Sequence, residues 1–293
     1  MRVFVTGASG HIGSAVVTEL VQAGHDVVGL ARSETSATTV KSLGAEVRRG
    51  ELGDLDGLRE AASDADAVIH LAFDHGALDP QGFVAAANVD LAVVRAFADA
   101  LDGTGKTFIG IGLGNSGDEE IDKAVNANPR SAVANEVAGF TDRGIRALLV
   151  GIPPVVHSTY DKHGFIPMMI GIARAKGVSG YIGDGGNRWP AVHTLDLAHL
   201  YRLALEKAPS GARLPAAAED GIAVREIAEV IGRQLGIPVE SVAPERAAEH
   251  FGAFGAFMTL GLPPLASQTR ELLGWEPVHP GLIADLEEGH YFN

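Results

Sequence analysis

The chain has 293 residues, 46% of them hydrophobic and 20% charged, a globular balance that excludes disorder and collagen-like order. Its 23 Lys and Arg against 37 Asp and Glu leave a net charge of −14, so a phosphate backbone is repelled over most of the surface and nucleic acid is not an expected partner. The absence of cysteine removes disulfides, thiolate zinc sites, iron–sulfur clusters and cysteine nucleophiles together. The opening MRVFVTGASG lacks the layout of a signal peptide, and no apolar run reaches the ~18 residues of a membrane span. A cytoplasmic protein with no membrane partner is the expectation.

In chain order, short β-branched runs at 2–6, 25–30, 45–50, 66–72, 106–111 and 146–151 alternate with helix-like stretches such as 14–24 and 88–101. Several runs are apolar on both faces, which predicts an α/β fold with a doubly wound parallel sheet covered on both sides. After Gly151 the texture changes to Pro, Gly and His, followed by helical segments near 168–177 and 224–236. The expected division is residues 1–152 as a dinucleotide-binding domain and 153–293 as a smaller, mostly helical substrate domain, with 189–205 packing back on the sheet. The site belongs at the carboxyl ends of the strands.

TGASGHIG (residues 6–13) follows the first strand directly and opens the first helix. Gly7 falls at the tight turn, Gly10 where a pyrophosphate approaches the backbone, and Gly13 where helix packs on strand. Ser9, His11 and Ile12 complete the candidate phosphate cradle. A NAD-selecting fold places an acid at the end of the second strand, about 20 residues past the last glycine. Arg32 and Ser33 stand there instead, and a guanidinium takes a 2′-phosphate, so NADP(H) is expected over NAD(H). Glu34 is the neighbour that would otherwise occupy Arg32.

These residues resemble the short-chain dehydrogenase/reductase superfamily, in the extended-like or atypical branch of NAD-dependent epimerase/dehydratase type, whose turn reads TGxxGxxG. RGELGDL (49–55) is similar to the family's turn after the third strand, with Glu51 and Leu52 beside the adenine. VIHLAF (68–73) is similar to the cofactor-lining fourth strand, which implies Leu71, Ala72 and Phe73 as cofactor contacts. The resemblance further implies Gly112 at the end of the fifth strand, Pro153 with its backbone facing the carboxamide, Asn88 opening a long helix, and WPAVHTLDLA (189–198) as a structural element. It implies a Rossmann fold, and a monomer or homodimer acting on a small molecule.

The family's Ser and Tyr-x-x-x-Lys are absent. The fifth strand ends Ile109-Gly110-Ile111-Gly112, and none of the four Tyr has Lys four residues on. Registering the next helix on Glu136 puts Asn128 and Ala132 at those positions. Asp74 and His75, just past the fourth strand, and Tyr160, in the loop after the sixth, are the replacement candidates for proton transfer; a solvated loop explains Tyr160 as well. His70 reads as a structural histidine inside an apolar strand. The stretch 250–264 suits a lid, a dimer contact or plain core packing. The 11 His fall at no recognised ligand spacing, so no metal is expected. The sequence thus points to an NADPH-dependent oxidoreductase acting on a small carbonyl or similar unsaturated compound, with a non-catalytic NADP(H)-binding redox sensor as the alternative.

Overall fold

The computed structural model describes residues 1–74, 80–112, 128–261 and 267–293. The β-branched runs form strands β1 (Arg2–Thr6), β2 (Asp26–Ala31), β3 (Glu46–Arg49), β4 (Ala67–His70), β5 (Thr107–Gly112) and β6 (Arg146–Gly151). A seventh, Arg213–Pro215, which is β10 in chain order, pairs parallel with β6. All seven strands are parallel in the order β10-β6-β5-β4-β1-β2-β3, a doubly wound sheet. The register sets Thr6 beside His70 and Gly112 beside Gly151, so the strand ends that carry candidate residues lie along one edge.

Helices α1 (His11–Gln22), α2 (Glu34–Ser42), α3 (Leu55–Ser63), α4 (Pro80–Leu101) and α5 (Arg130–Ala138) connect these strands. Local chemistry fixes their starts. Ser33 caps α2 by accepting from the Ser36 amide at 3.1 Å, and Asp54 caps α3 by accepting from Gly57 at 3.0 Å. The helix expected over 88–101 starts at Pro80, a residue suited to the first turn because its missing N–H has no partner there anyway. One face of α4 carries buried Ala87, Val94, Phe97 and Leu101, and the Phe97 ring packs on Phe4 and Phe108 at 6.2 and 5.8 Å. The strand expected over 66–72 stops at His70; past it the Leu71 amide is shared between Thr6 O at 3.3 Å and Thr6 Oγ1 at 3.2 Å, and the Ala72 amide goes to Thr6 Oγ1 at 3.2 Å.

The structure divides into two units. The first comprises residues 1–152 together with 197–215 and 267–275; the second comprises 153–196, 216–266 and 276–293. The second unit holds helices α6 (Phe165–Lys176), the first turn of α7 (Thr194–Lys207), and α8 (Val224–Leu235). The expectation of a mostly helical second part omitted five strands: β7 (Val155–His157), β8 (Ser179–Ile182), β9 (Arg188–His193), β11 (Glu219–Ala223) and β12 (Val239–Val242), in sheets ordered β11-β9-β7 and β12-β8. Most are three to five residues long, too short for an alternating pattern to show. Phe254 and Phe257 pack on Phe165 at 5.1 and 4.4 Å, and the fully buried Trp189 donates its indole N–H to Leu260 O at 3.0 Å. The described part of the 250–264 stretch is therefore core packing.

A histidine pair sits at the end of β9 in this unit. His193 Nδ1 accepts the Leu195 amide at 3.3 Å, and its ring stacks on His279 at 4.6 Å with an angle of 8° between planes. Burial, then the neighbouring His157 and His279, push His193 down to about 4, against the opposing pull of Asp285 and Asp196. Its folded value lies below its unfolded one, so the unfolded chain binds the extra proton first and stability falls as pH drops from about 6.5 towards 4. Urea melts at pH 7 and pH 5 are expected to show this loss, and His193→Asn is expected to flatten it; equal pH slopes would contradict the assignment.

Candidate functional site

The glycine turn is built as its spacing requires. Gly7 has φ of 69°, and a Cβ there would stand 2.8 Å from Ala72 N and 2.9 Å from Leu71 C, so the turn presses against the chain leaving β4. A Cβ on Gly13 would run into the Gly7 carbonyl, whose carbon would be 2.7 Å away. Gly10 differs: it is exposed, and among the described residues a Cβ there would meet only Gly7 O, at 3.2 Å. Gly10 is also the N-cap of α1 and brings no side-chain cap of its own, and the positive end of a helix dipole favours an anion at such a terminus. Ser9, His11 and Ile12 are half-buried around it. The residues present fit a pyrophosphate.

Beneath the turn lies a buried polar chain. Thr6 Oγ1 accepts two amides, which uses both its lone pairs and leaves its hydrogen for His70 Nδ1 at 2.6 Å. The His70 proton is thereby assigned to Nε2, which donates to Asp90 Oδ1 at 2.7 Å. His70 is 4% exposed and Asp90 2%. His70 is the structural histidine that its apolar strand suggested, and it ties β4 to β1 and α4.

At the far end of β2, Arg32 and Ser33 are exposed. The Ser33 hydroxyl is engaged as the α2 cap. Glu34 does not take Arg32: its carboxylate lies 3.4 Å from Arg49, whose guanidinium also donates to Ser33 O at 2.6 Å. Among the described residues Arg32 makes no ion pair. Sequence reasoning missed Arg49, although the pairing of Ala31 with Arg49 between β2 and β3 places it there. Glu51 is exposed, Leu52 half-buried, and both precede the Asp54 cap.

Leu71, Ala72 and Phe73 follow β4 half-buried, Asp74 is exposed, and Gly112 is buried at the end of β5. His75 lies outside the described residues. Pro153 is buried at the start of the second unit, where Tyr160 is exposed and donates its amide to Ser158 Oγ at 3.1 Å. His157 in that unit is fully buried, with Nδ1 2.9 Å from Asp285 Oδ2. Among the described residues His193, Asp196 and His279 place nitrogen and oxygen atoms within 4.8 Å of one another, but the two stacked rings are parallel, so their lone pairs do not converge on one point. No helix among the described residues is long and apolar enough to cross a membrane.

Residues 3–107 match the model of the NAD dependent epimerase/dehydratase family. An uncharacterized protein of Schizosaccharomyces pombe is 42% identical over the full length of both chains, and one of Saccharomyces cerevisiae is 39% identical, again over both full lengths. The crystal structure of the Thermus thermophilus UDP-glucose 4-epimerase complex with NAD superposes with a TM-score of 0.74 at 20% identity, covering 99% of each chain. The glycine turn, the His70 strand and β1 to β4 all fall inside the matched segment, and the whole chain aligns to relatives at about two residues in five; it belongs to the NAD dependent epimerase/dehydratase family.

Proposed function

We propose that the protein is an NADPH-dependent oxidoreductase that delivers a hydride to a small carbonyl or similar unsaturated compound. Arg32 carries this reading. At the end of β2 an acid would bond ribose hydroxyls, whereas Arg32 is an exposed cation whose nearby acid, Glu34, is engaged by Arg49. A 2′-phosphate supplies the partner both guanidiniums favour. The turn from Gly7 through Ser9, Gly10, His11 and Ile12 to Gly13 would hold the pyrophosphate, Glu51 and Leu52 the adenine, and Leu71, Ala72, Phe73 and Gly112 the nicotinamide end. The bound cofactor supplies the hydride; the chain supplies placement and a proton donor, with Asp74 the first residue to test and His75 and Tyr160 next. That the Thermus structure is a complex with NAD supports a dinucleotide at this turn.

Calorimetric titration tests the assignment. Arg32→Ala is expected to weaken NADPH by roughly 1.5 to 3 kcal/mol, the worth of hydrogen bonds to a charged group, and to leave NADH unchanged. An unaltered NADPH affinity would sink the 2′-phosphate reading. The absence of Tyr-x-x-x-Lys favours one second reading, an NADP(H)-binding redox sensor without chemistry. Transfer of label from 4-tritiated NADPH to a panel of aldehydes and ketones separates the two: product labelling supports the reductase, and tight binding without transfer to any member supports the sensor.

A further inference from the structure

Arg130, the first residue of α5, has a guanidinium that no step above employs. Its side chain is 17% exposed, and burial pushes its pKa down despite the compensating charge of Asp90. Its Cζ lies over the Phe73 ring, 4.2 Å from the centroid, immediately past the residues that press on Gly7. Among the described residues its acid partner is Asp90, and the contact is loose: Nε is 3.7 Å from Asp90 Oδ2, beyond hydrogen-bond distance. Oδ2 itself is buried with no partner, while Oδ1 is held by His70. The Phe73 ring and the Asp90 carboxylate thus flank the group, and none of its side-chain N–H groups donates a hydrogen bond to the described residues. A desolvated guanidinium left in this condition is costly. An oxyanion bonded by both terminal nitrogens restores what is missing.

We propose that Arg130 binds the carboxylate or phosphate of an acidic small substrate, so that the compound reduced is an oxo acid or a keto phosphate and not a neutral carbonyl. This rests on the reading of the glycine turn as a dinucleotide site. It assigns Arg130 to substrate and not to cofactor: the dinucleotide's own phosphates fall at the glycine turn and Arg32.

The test uses the full chain saturated with NADP⁺, probed with oxamate, inorganic phosphate and the neutral oxamide, and read by melting temperature and calorimetry. Oxamate or phosphate is expected to raise the melting temperature of the wild-type protein, and oxamide is not; which anion acts identifies the carboxylate or the phosphate source. Arg130→Gln is expected to weaken that anion by about tenfold or more while its NADPH affinity stays within about threefold of wild type. Arg130→Lys keeps the charge and is expected to retain part of the response. The proposal is overturned if oxamide matches oxamate, if neither anion shifts the wild-type protein, or if Arg130→Gln loses NADPH and keeps the anion response. The wild-type arm decides even where the Gln variant fails to fold. An anion response without NADPH binding would remove the dinucleotide reading and leave Arg130 as the anion site; NADPH binding without an anion response would do the reverse.

Discussion

Gly13→Ala is expected to destabilise the fold by about 3 kcal/mol, whereas Gly10→Ala, at an N-cap, is expected to cost about 1 kcal/mol or less and still to reduce dinucleotide affinity about tenfold or more. The two glycines are three residues apart, yet a methyl group meets different surroundings at each. At position 13 it enters the Gly7 carbonyl, backbone that cannot rotate away, so α1 must lift from β1. At position 10 it meets one oxygen at 3.2 Å and, among the described residues, no other atom within 4 Å, at the place where a phosphate would approach the α1 terminus. Urea melts and NADPH titrations on both variants check the pair. If Gly10→Ala binds as tightly as wild type, the turn packs without holding a ligand.

Arg146→Met is expected to destabilise the protein by about 3 kcal/mol, the largest effect expected of a side chain remote from the turn. The Arg146 guanidinium makes five hydrogen bonds: to Ala204 O at 3.0 Å, Leu205 O at 2.9 Å, Ala208 O at 2.6 and 3.1 Å, and Thr107 Oγ1 at 2.8 Å. Three of these acceptors are carbonyls at the carboxyl end of α7, where a helix leaves its last oxygens unpaired and where the dipole favours a cation. Met keeps the length and apolar stem but removes all five donated bonds, leaving Ala204 O with the Ala208 amide alone. Denaturant melts of the Met and Lys variants should rank wild type above Lys above Met; a Met variant as stable as wild type would show that water takes over the carbonyls.

Six of the seven strands of the large sheet were legible, several of them because they are β-branched runs with apolar residues on both faces and the rest, such as β3, from their place in the alternation with helical stretches. β10, Arg213-Leu214-Pro215, was not, since three residues ending in Pro carry no pattern. The turn at residues 6–13 was readable because its function is imposed by backbone geometry, which glycine reports directly. Arg130 was not, because charge in a sequence carries no record of burial. A signal for its partner did exist: Asp90 lies on the same stripe of α4 as Val94, Phe97 and Leu101, an acid on an otherwise apolar face. Such an acid requires partners, and His70 and Arg130 are the ones found. Arg49 was overlooked for another reason: strand register, not sequence distance, brings it beside Ala31.

The first unit draws residues 197–215 and 267–275 from far down the chain. During synthesis the first 152 residues emerge with the outer edge of β6 unpaired, and that edge gains its neighbour only when residues 213–215 have left the ribosome. An exposed parallel edge is a template for pairing with another chain. A nascent polypeptide halted between residues 152 and 213 would thus expose the border of β6 that the finished molecule covers with the short, proline-ended β10, and no gene fragment ending at residue 152 would express the sheet as it stands in the whole protein.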